Sequence, residues 1–254
     1  MSKKSFLVGL SMLGIFWLGY GFTFDLIGGV DYQFASFPQL TEAVITPLNQ
    51  AISTLNSSLP ADAGSLSPLP PLSGAWSKEI EAHLWLSPLW GVGLSLINTT
   101  TETSATSTLN VEAPDAASFK LDVSYKLAIS GLGGGLGAQA RISFGPLTAV
   151  AGIKVLYLLG NLTTQTILRA HDFSDIDVEP PDTLNGTLKL GYQTMGWGYE
   201  TTLAVCYTFG WFSVELSVGY RNVPFTFADL DGDGLRERAD FGGLTIGGRI
   251  GLGL

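Results

Sequence analysis

The stretch Phe212-Ser-Val-Glu-Leu-Ser-Val-Gly-Tyr-Arg221 decides how this chain folds. Phe212, Val214, Leu216, Val218 and Tyr220 alternate one for one with Ser213, Glu215, Ser217, Gly219 and Arg221. Successive side chains of a strand point to opposite faces. The segment therefore has one apolar face with aromatic ends and one small, polar face that carries ions. That pairing suits a closed sheet with hydrocarbon outside and a polar interior.

Working outward, the pattern recurs around three short turns, Ser87-Pro88-Leu89-Trp90, Phe144-Gly145-Pro146-Leu147 and Phe209-Gly210-Trp211-Phe212. Strands precede them at Glu79 to Leu86, Leu136 to Phe144 and Tyr199 to Thr208, and follow them at Trp90 to Ile97, Leu147 to Leu158 and Phe212 to Arg221. Phe22 to Tyr32 opens the set and Gly242 to Leu254 closes it, which makes eight strands, an even number. The other connections are long: Gln33 to Lys78, Asn98 to Ser118, Leu159 to Thr183 and Asn222 to Ala239. Short turns on one side and long loops on the other are the asymmetry of an up-and-down antiparallel transmembrane β-barrel. Trp90, Phe144, Tyr207 and Phe212 fall at the short turns, and Tyr157, Tyr199 and Tyr220 at the opposite ends, as two aromatic girdles would.

Two segments break the phase. Phe119 to Leu127 carries its large residues at odd positions and the strand after it at even ones; Leu188, Leu190 and Tyr192 are even and the strand from Tyr199 odd. Both flips fall at glycine clusters, Gly131 to Gly135 and Gly196 to Gly198. A β-bulge shifts phase by one residue and is common at barrel rims, so long hairpins bent at the rim and protruding on one side are expected. Counting these segments as separate strands would give ten or twelve. In the first long loop Leu40, Val44, Ile45, Leu48, Ile52 and Leu55 have helical spacing, with Pro38 as a start and Pro47 as a kink, so a short helix at the barrel mouth is expected.

Composition bounds the rest. The chain has 254 residues and a mean hydropathy of +0.30, yet only Phe6 to Gly21 could be an apolar helix. Preceded by Lys3 and Lys4 and ending in small residues, it reads as a secretory signal peptide over residues 1–21, leaving a barrel domain at 22–254. Formal net charge is −9, and loss of those two lysines makes it −9 − 2 = −11, which excludes the basic footprint of a nucleic-acid binder. The single Cys206 rules out an intrachain disulfide framework.

By parity the inward ionisable groups are Asp25, Glu79, Glu81, His83, Arg141, Lys154, Glu200, Glu215, Arg221 and Arg249. Asp25, His83, Arg141, Glu215 and Arg249 lie nearer the short turns and the others higher. An eight-stranded barrel is just wide enough for side chains to fill it, so mixed signs at both levels predict a closed, salt-bridged lumen; a polar conduit or ligand pocket is the alternative. In the last loop Asp229, Asp231, Asp233, Glu237 and Asp240, with Gly234 between them, follow the calcium-loop pattern, with the shorter Asp at the twelfth position. Calcium is the one cofactor this suggests. His83 and His171 are the only histidines and no nucleophile signature accompanies them, so an enzyme is not expected.

On these strands, turns and loops the chain resembles the small bacterial outer-membrane barrels of the OmpA/OmpX type. The resemblance implies a place in the bacterial outer membrane, partners limited to the lipid bilayer and small solutes or other envelope and surface components, and a structural or surface-interaction role. A transporter or porin-like protein for small or apolar solutes is a second reading. A secreted lipocalin-like binder is a third, and it would need the apolar faces inside.

Overall fold

The computed structural model describes residues 23–112, 118–172, 186–227 and 236–253. The proposed signal peptide lies outside them. Eight strands follow in order: β1 (Thr23–Ser36), β2 (Ser73–Trp85), β3 (Trp90–Glu112), β4 (Ser118–Phe144), β5 (Leu147–His171), β6 (Gly186–Phe209), β7 (Phe212–Thr226) and β8 (Arg238–Gly253). Each pairs antiparallel with its neighbours, and β1 pairs with β8 to close the ring. Ten or twelve strands are thereby excluded.

The register fixes the geometry. From Phe34 the pairing runs through Leu244, Tyr220, Thr201, Ile153, Ala138, Val92 and Leu84, and returns to β1 at Phe24, ten residues lower. With eight strands that stagger gives a tilt of about 40°. The two-residue turns at Gly145-Pro146 and Gly210-Trp211 each place glycine at φ 63°, the positive first position of a II′ hairpin turn.

Outward residues carry the apolar band. Leu216 is 70% exposed, Leu94 64% and Leu136 61%, values that would be costly in water over so wide a surface and are natural against hydrocarbon. Trp90, Phe144, Tyr207, Phe209 and Trp211 ring the short-turn end; Trp76, Trp197, Tyr199 and Tyr220 ring the other. The lipocalin-like reading fails here, because the apolar faces of the band look out and its ions look in.

The expected β-bulges are absent. β4 pairs with β5 without a register shift from Lys120↔His171 to Phe144↔Leu147, and β6 with β5 from Gly186 to Tyr207. In β4 the phase of large residues flips because the surroundings change, not the strand; in β6 the even-phase Leu188, Leu190 and Tyr192 stay exposed. Below Ser130 the outer face of β4 meets hydrocarbon with Leu132, Leu136 and Ile142; above it the outer face is Lys126, Ser124 and Asp122, and the inner face packs a dry core with Val123, Leu127 and Ile129. The glycine clusters serve that core. A Cβ on Gly131, Gly160 or Gly196 would meet the ring of Phe225, so three strands give up side chains to seat one aromatic.

β3 to β6 overshoot the band and form a protruding wall. The 25-residue β5 is about 80 Å long at about 3.3 Å per residue, well beyond the span of the band. The first long loop folds into the mouth beside this wall. A short helix α1 (Pro38–Leu40) passes through a π-helical turn, Thr41–Ile45, into α2 (Thr46–Ser58). The break at Pro47 takes the form of that turn: Thr46 N–H bonds Thr41 O, and Pro47 has no N–H to offer. Leu40, Ile45 and Ile52 are buried, while Leu55 is exposed.

Candidate functional site in the barrel lumen

Inward positions of six strands bring one ionic layer together within the band. Lys154 on β5 donates to Glu79 at 2.7 Å and Glu81 at 2.6 Å, both on β2, and lies 3.3 Å from Glu200 on β6. Arg221 on β7 donates through Nε to Glu200 at 2.5 Å and through Nη1 to Ser77 at 2.6 Å. Arg249 on β8 donates to Glu81 at 2.7 Å and Glu79 at 3.2 Å, and reaches Glu215 at 3.5 Å and Asp31 at 3.4 Å. His83 Nε2 sits 2.5 Å from Glu81. All of these groups are buried. Charges at this depth persist only when paired, and here Glu79, Glu81, Glu200 and Asp31 are each shared between cations, while Glu215 meets Arg249 alone.

Of the ten groups expected inside, eight belong to this layer: Glu79, Glu81, His83, Lys154, Glu200, Glu215, Arg221 and Arg249. Arg249 touches carboxylates of both expected levels and joins them. Asp25 and Arg141 stand apart at the short-turn end. There Trp85 Nε1 donates to Asp25 at 2.5 Å, and the Arg141 guanidinium lies 3.9 Å over the Trp85 ring and 3.7 Å from Asp25. They line a vestibule of about 400 Å³ with Thr23, Gln139, Cys206 and Ser213, floored by His83 and Glu215. Sequence reasoning missed Asp31, whose parity matches Asp25, and Gln139, which lies 2.9 Å from His83.

Above the ionic layer the lumen is mainly apolar, with Gln33, Thr99 and Thr101 among the buried polar side chains of its wall. Phe37, Leu40, Ile45, Leu69 and Leu72 of the first loop pack against Ile97, Leu127, Leu156, Leu158, Phe225 and Phe241 of the barrel. Paired amide bonds hold the returning segment to α2: Asn49 clasps both backbone groups of Leu69 (3.0 and 2.8 Å), and Asn56 those of Leu66 (2.9 and 2.7 Å). The same segment is tied to β3 by Thr103 to Pro70 O at 2.9 Å, Ser67 N–H to Ser107 at 2.6 Å, and Asn110 N–H to Ala63 O at 2.8 Å. The loop is a plug built into the wall.

Two further sets lie outside the lumen. Asp229, Asp231 and Asp233 of the calcium pattern lie outside the described residues; Glu237 precedes β8, and Asp240 accepts from Arg238 at 2.6 Å. At the far end of the protruding wall, His171 lies 3.2 Å from Asp122 and 3.5 Å from Asp172, Lys120 donates to Asp172 at 2.9 Å, and Thr108 donates to Asp122 at 2.6 Å. The hydrogen bond with Asp122 raises the His171 pKa above its ordinary value. The bond from Thr108, then that from His171, lowers the Asp122 pKa.

No protein-family model and no curated protein sequence matches the chain. Among solved structures it is similar to the outer membrane protein OprG from Pseudomonas aeruginosa, at 10% identity and a TM-score of 0.46, over 91% of this chain and 95% of that one. It is also similar to Ail, the attachment invasion locus protein of Yersinia pestis, in complex with a heparin analogue, at 12% identity and a TM-score of 0.32, over 92% and 98%. The membrane-spanning reading stands on the closed register and the apolar outer face rather than on these likenesses. An even-stranded, single-chain barrel with its apolar band outside and short turns at one end is the architecture of bacterial outer-membrane proteins, and this chain has that architecture: a small, closed, eight-stranded antiparallel β-barrel.

Proposed function

We propose that the barrel is a closed scaffold with a structural or surface-interaction role, in which β3 to β6 hold a protruding wall above the membrane. The observation that carries this is the double seal of the lumen. A buried ionic layer spans it, and an apolar plug, fixed to the wall by backbone and side-chain bonds, fills the space above. Passage of a solute would have to break both. The vestibule at the short-turn end stops at His83 and Glu215. No chemistry is called for: His83 is tied to Glu81 and Gln139, and the outward face of the wall is a field of hydroxyl, amide and charged side chains suited to contact with other surface components.

Conductance in planar bilayers tests the reading. The full mature chain is expected to give no steady single-channel current, and replacing residues 37–72 by a short Gly-Ser linker to leave the ionic layer bare. Steady conductance of the unaltered protein, changed by Glu200→Gln, would replace this proposal with transport.

A further inference from the structure

Lys78 breaks the rule of the outer face. It sits on β2 between outward Trp76 and Ile80, and it pairs across with Val30 on β1 and Asn98 on β3. Among the described residues it is the only charged side chain on the lipid-facing band. It is exposed and has no ion pair or hydrogen bond there, unlike the buried Lys154, which has three carboxylates. The nearest outward carboxylate on β3, Glu102, is held by Lys126 at 2.6 Å. A lone cation facing lipid is costly in proportion to its depth, and a counter-charge supplied from the lipid side offsets that cost.

Its depth indicates which part of the lipid. Lys78 lies two residues below Trp76, about 5 Å at this tilt. Trp76 meets Tyr32 edge-on at 4.9 Å and marks the upper aromatic girdle. A lysine stem reaches about that far, laying its methylenes along apolar surface and lifting the ammonium to the headgroup level. There the register places Asn98 beside Lys78 and Thr100 beside Trp76, both outward. One cation, one amide, one hydroxyl and one indole N–H thus share one outward patch of the β2–β3 pair, at the level where compact, multiply accepting anions occur in a membrane.

We propose that Lys78, Asn98, Thr100 and Trp76 form a binding site for the phosphate of a membrane lipid in the leaflet on the long-loop side. The proposal rests on the membrane reading, which is checked separately by heat-modifiable insertion of the unaltered protein into phosphatidylcholine vesicles. The test itself is native mass spectrometry of the folded protein released from detergent containing diphosphoryl lipid A or its dephosphorylated form. The phosphorylated lipid should be retained preferentially, and Lys78→Gln should lower its retention about fivefold, the effect of one surface cation near anionic lipid. Asn98→Asp, which leaves Lys78 in place and sets a carboxylate beside it, should lower retention as well. Millimolar inorganic phosphate should not displace the lipid. Equal retention of the two lipids, retention unaffected by both substitutions, or displacement by free phosphate would overturn the proposal.

Discussion

Lys154 shows how much one residue can hold in this lumen. It neutralises three carboxylates from two strands, and no other cation reaches all three as closely. Replacing it with methionine leaves Glu79, Glu81 and Glu200 crowded without the one cation that lies within 3.3 Å of all three. The expected loss is about 3–5 kcal/mol, the cost of breaking a buried pair from one side. Urea unfolding of the inserted barrel measures it. Adding Glu79→Gln and Glu81→Gln should recover part of the loss, because the stranded charges are then removed. Parity alone placed Lys154 and most of its partners on the inner face, since a two-residue period leaves no choice once the outer face is known. It could equally have placed Asp31, six positions from Asp25 on one strand. What parity could not supply is depth: Asp25 and Arg141 point inward, yet they lie too near the short-turn end to join the ionic layer.

The protruding hairpins show one strand serving two environments. A strand crossing from hydrocarbon into water exchanges the chemistry of both faces while its register continues, as β4 does on either side of Ser130. Read from large residues alone, that exchange imitates a bulge. The helix of the first loop was legible from its spacing, but not its destination, because the asparagine clasps and the β3 residues Thr103, Ser107 and Asn110 that pin the loop are ordinary polar residues in the sequence. The far end of the wall carries a pH response. His171, with its raised pKa, contributes stability that is complete below its unfolded value and is lost as pH rises through the folded one. Asp122, with its lowered pKa, contributes above the ordinary carboxylate value and loses that contribution as pH falls through the lowered one. The β3–β4–β5 tip should therefore be tightest in mildly acidic solution and loosen above the histidine range. Hydrogen exchange of amides near Thr108, Asp122 and His171, corrected for intrinsic rates, should show protection falling between those conditions in the unaltered protein and not in His171→Gln. Equal pH dependence in both would assign the effect elsewhere.

The whole molecule is a tilted ring with three environments stacked along its axis: an open polar vestibule, an ionic layer, and a dry plug that continues into the wall. Closure gives every central strand two partners and removes the sheet edge within the membrane, where an unpaired backbone could not be hydrated. The alternation of residues 212–221 was enough to foresee that ring, because only a barrel reconciles an apolar outer face with charges on the inner one. The plug went unforeseen at the same scale, since its partners come from segments far apart in sequence, such as Phe37 and Phe241.

Which face meets lipid is the claim on which the ring, the sealed lumen and the Lys78 site all depend. Single spin labels introduced by Val214→Cys, Leu216→Cys, Val218→Cys, Ser213→Cys and Ser217→Cys, each with Cys206→Ser, report it directly in vesicles. Collision with dissolved oxygen should be high at the three even positions and low at the two odd ones; a high oxygen response at 213 and 217 with a low one at 214, 216 and 218 would contradict it.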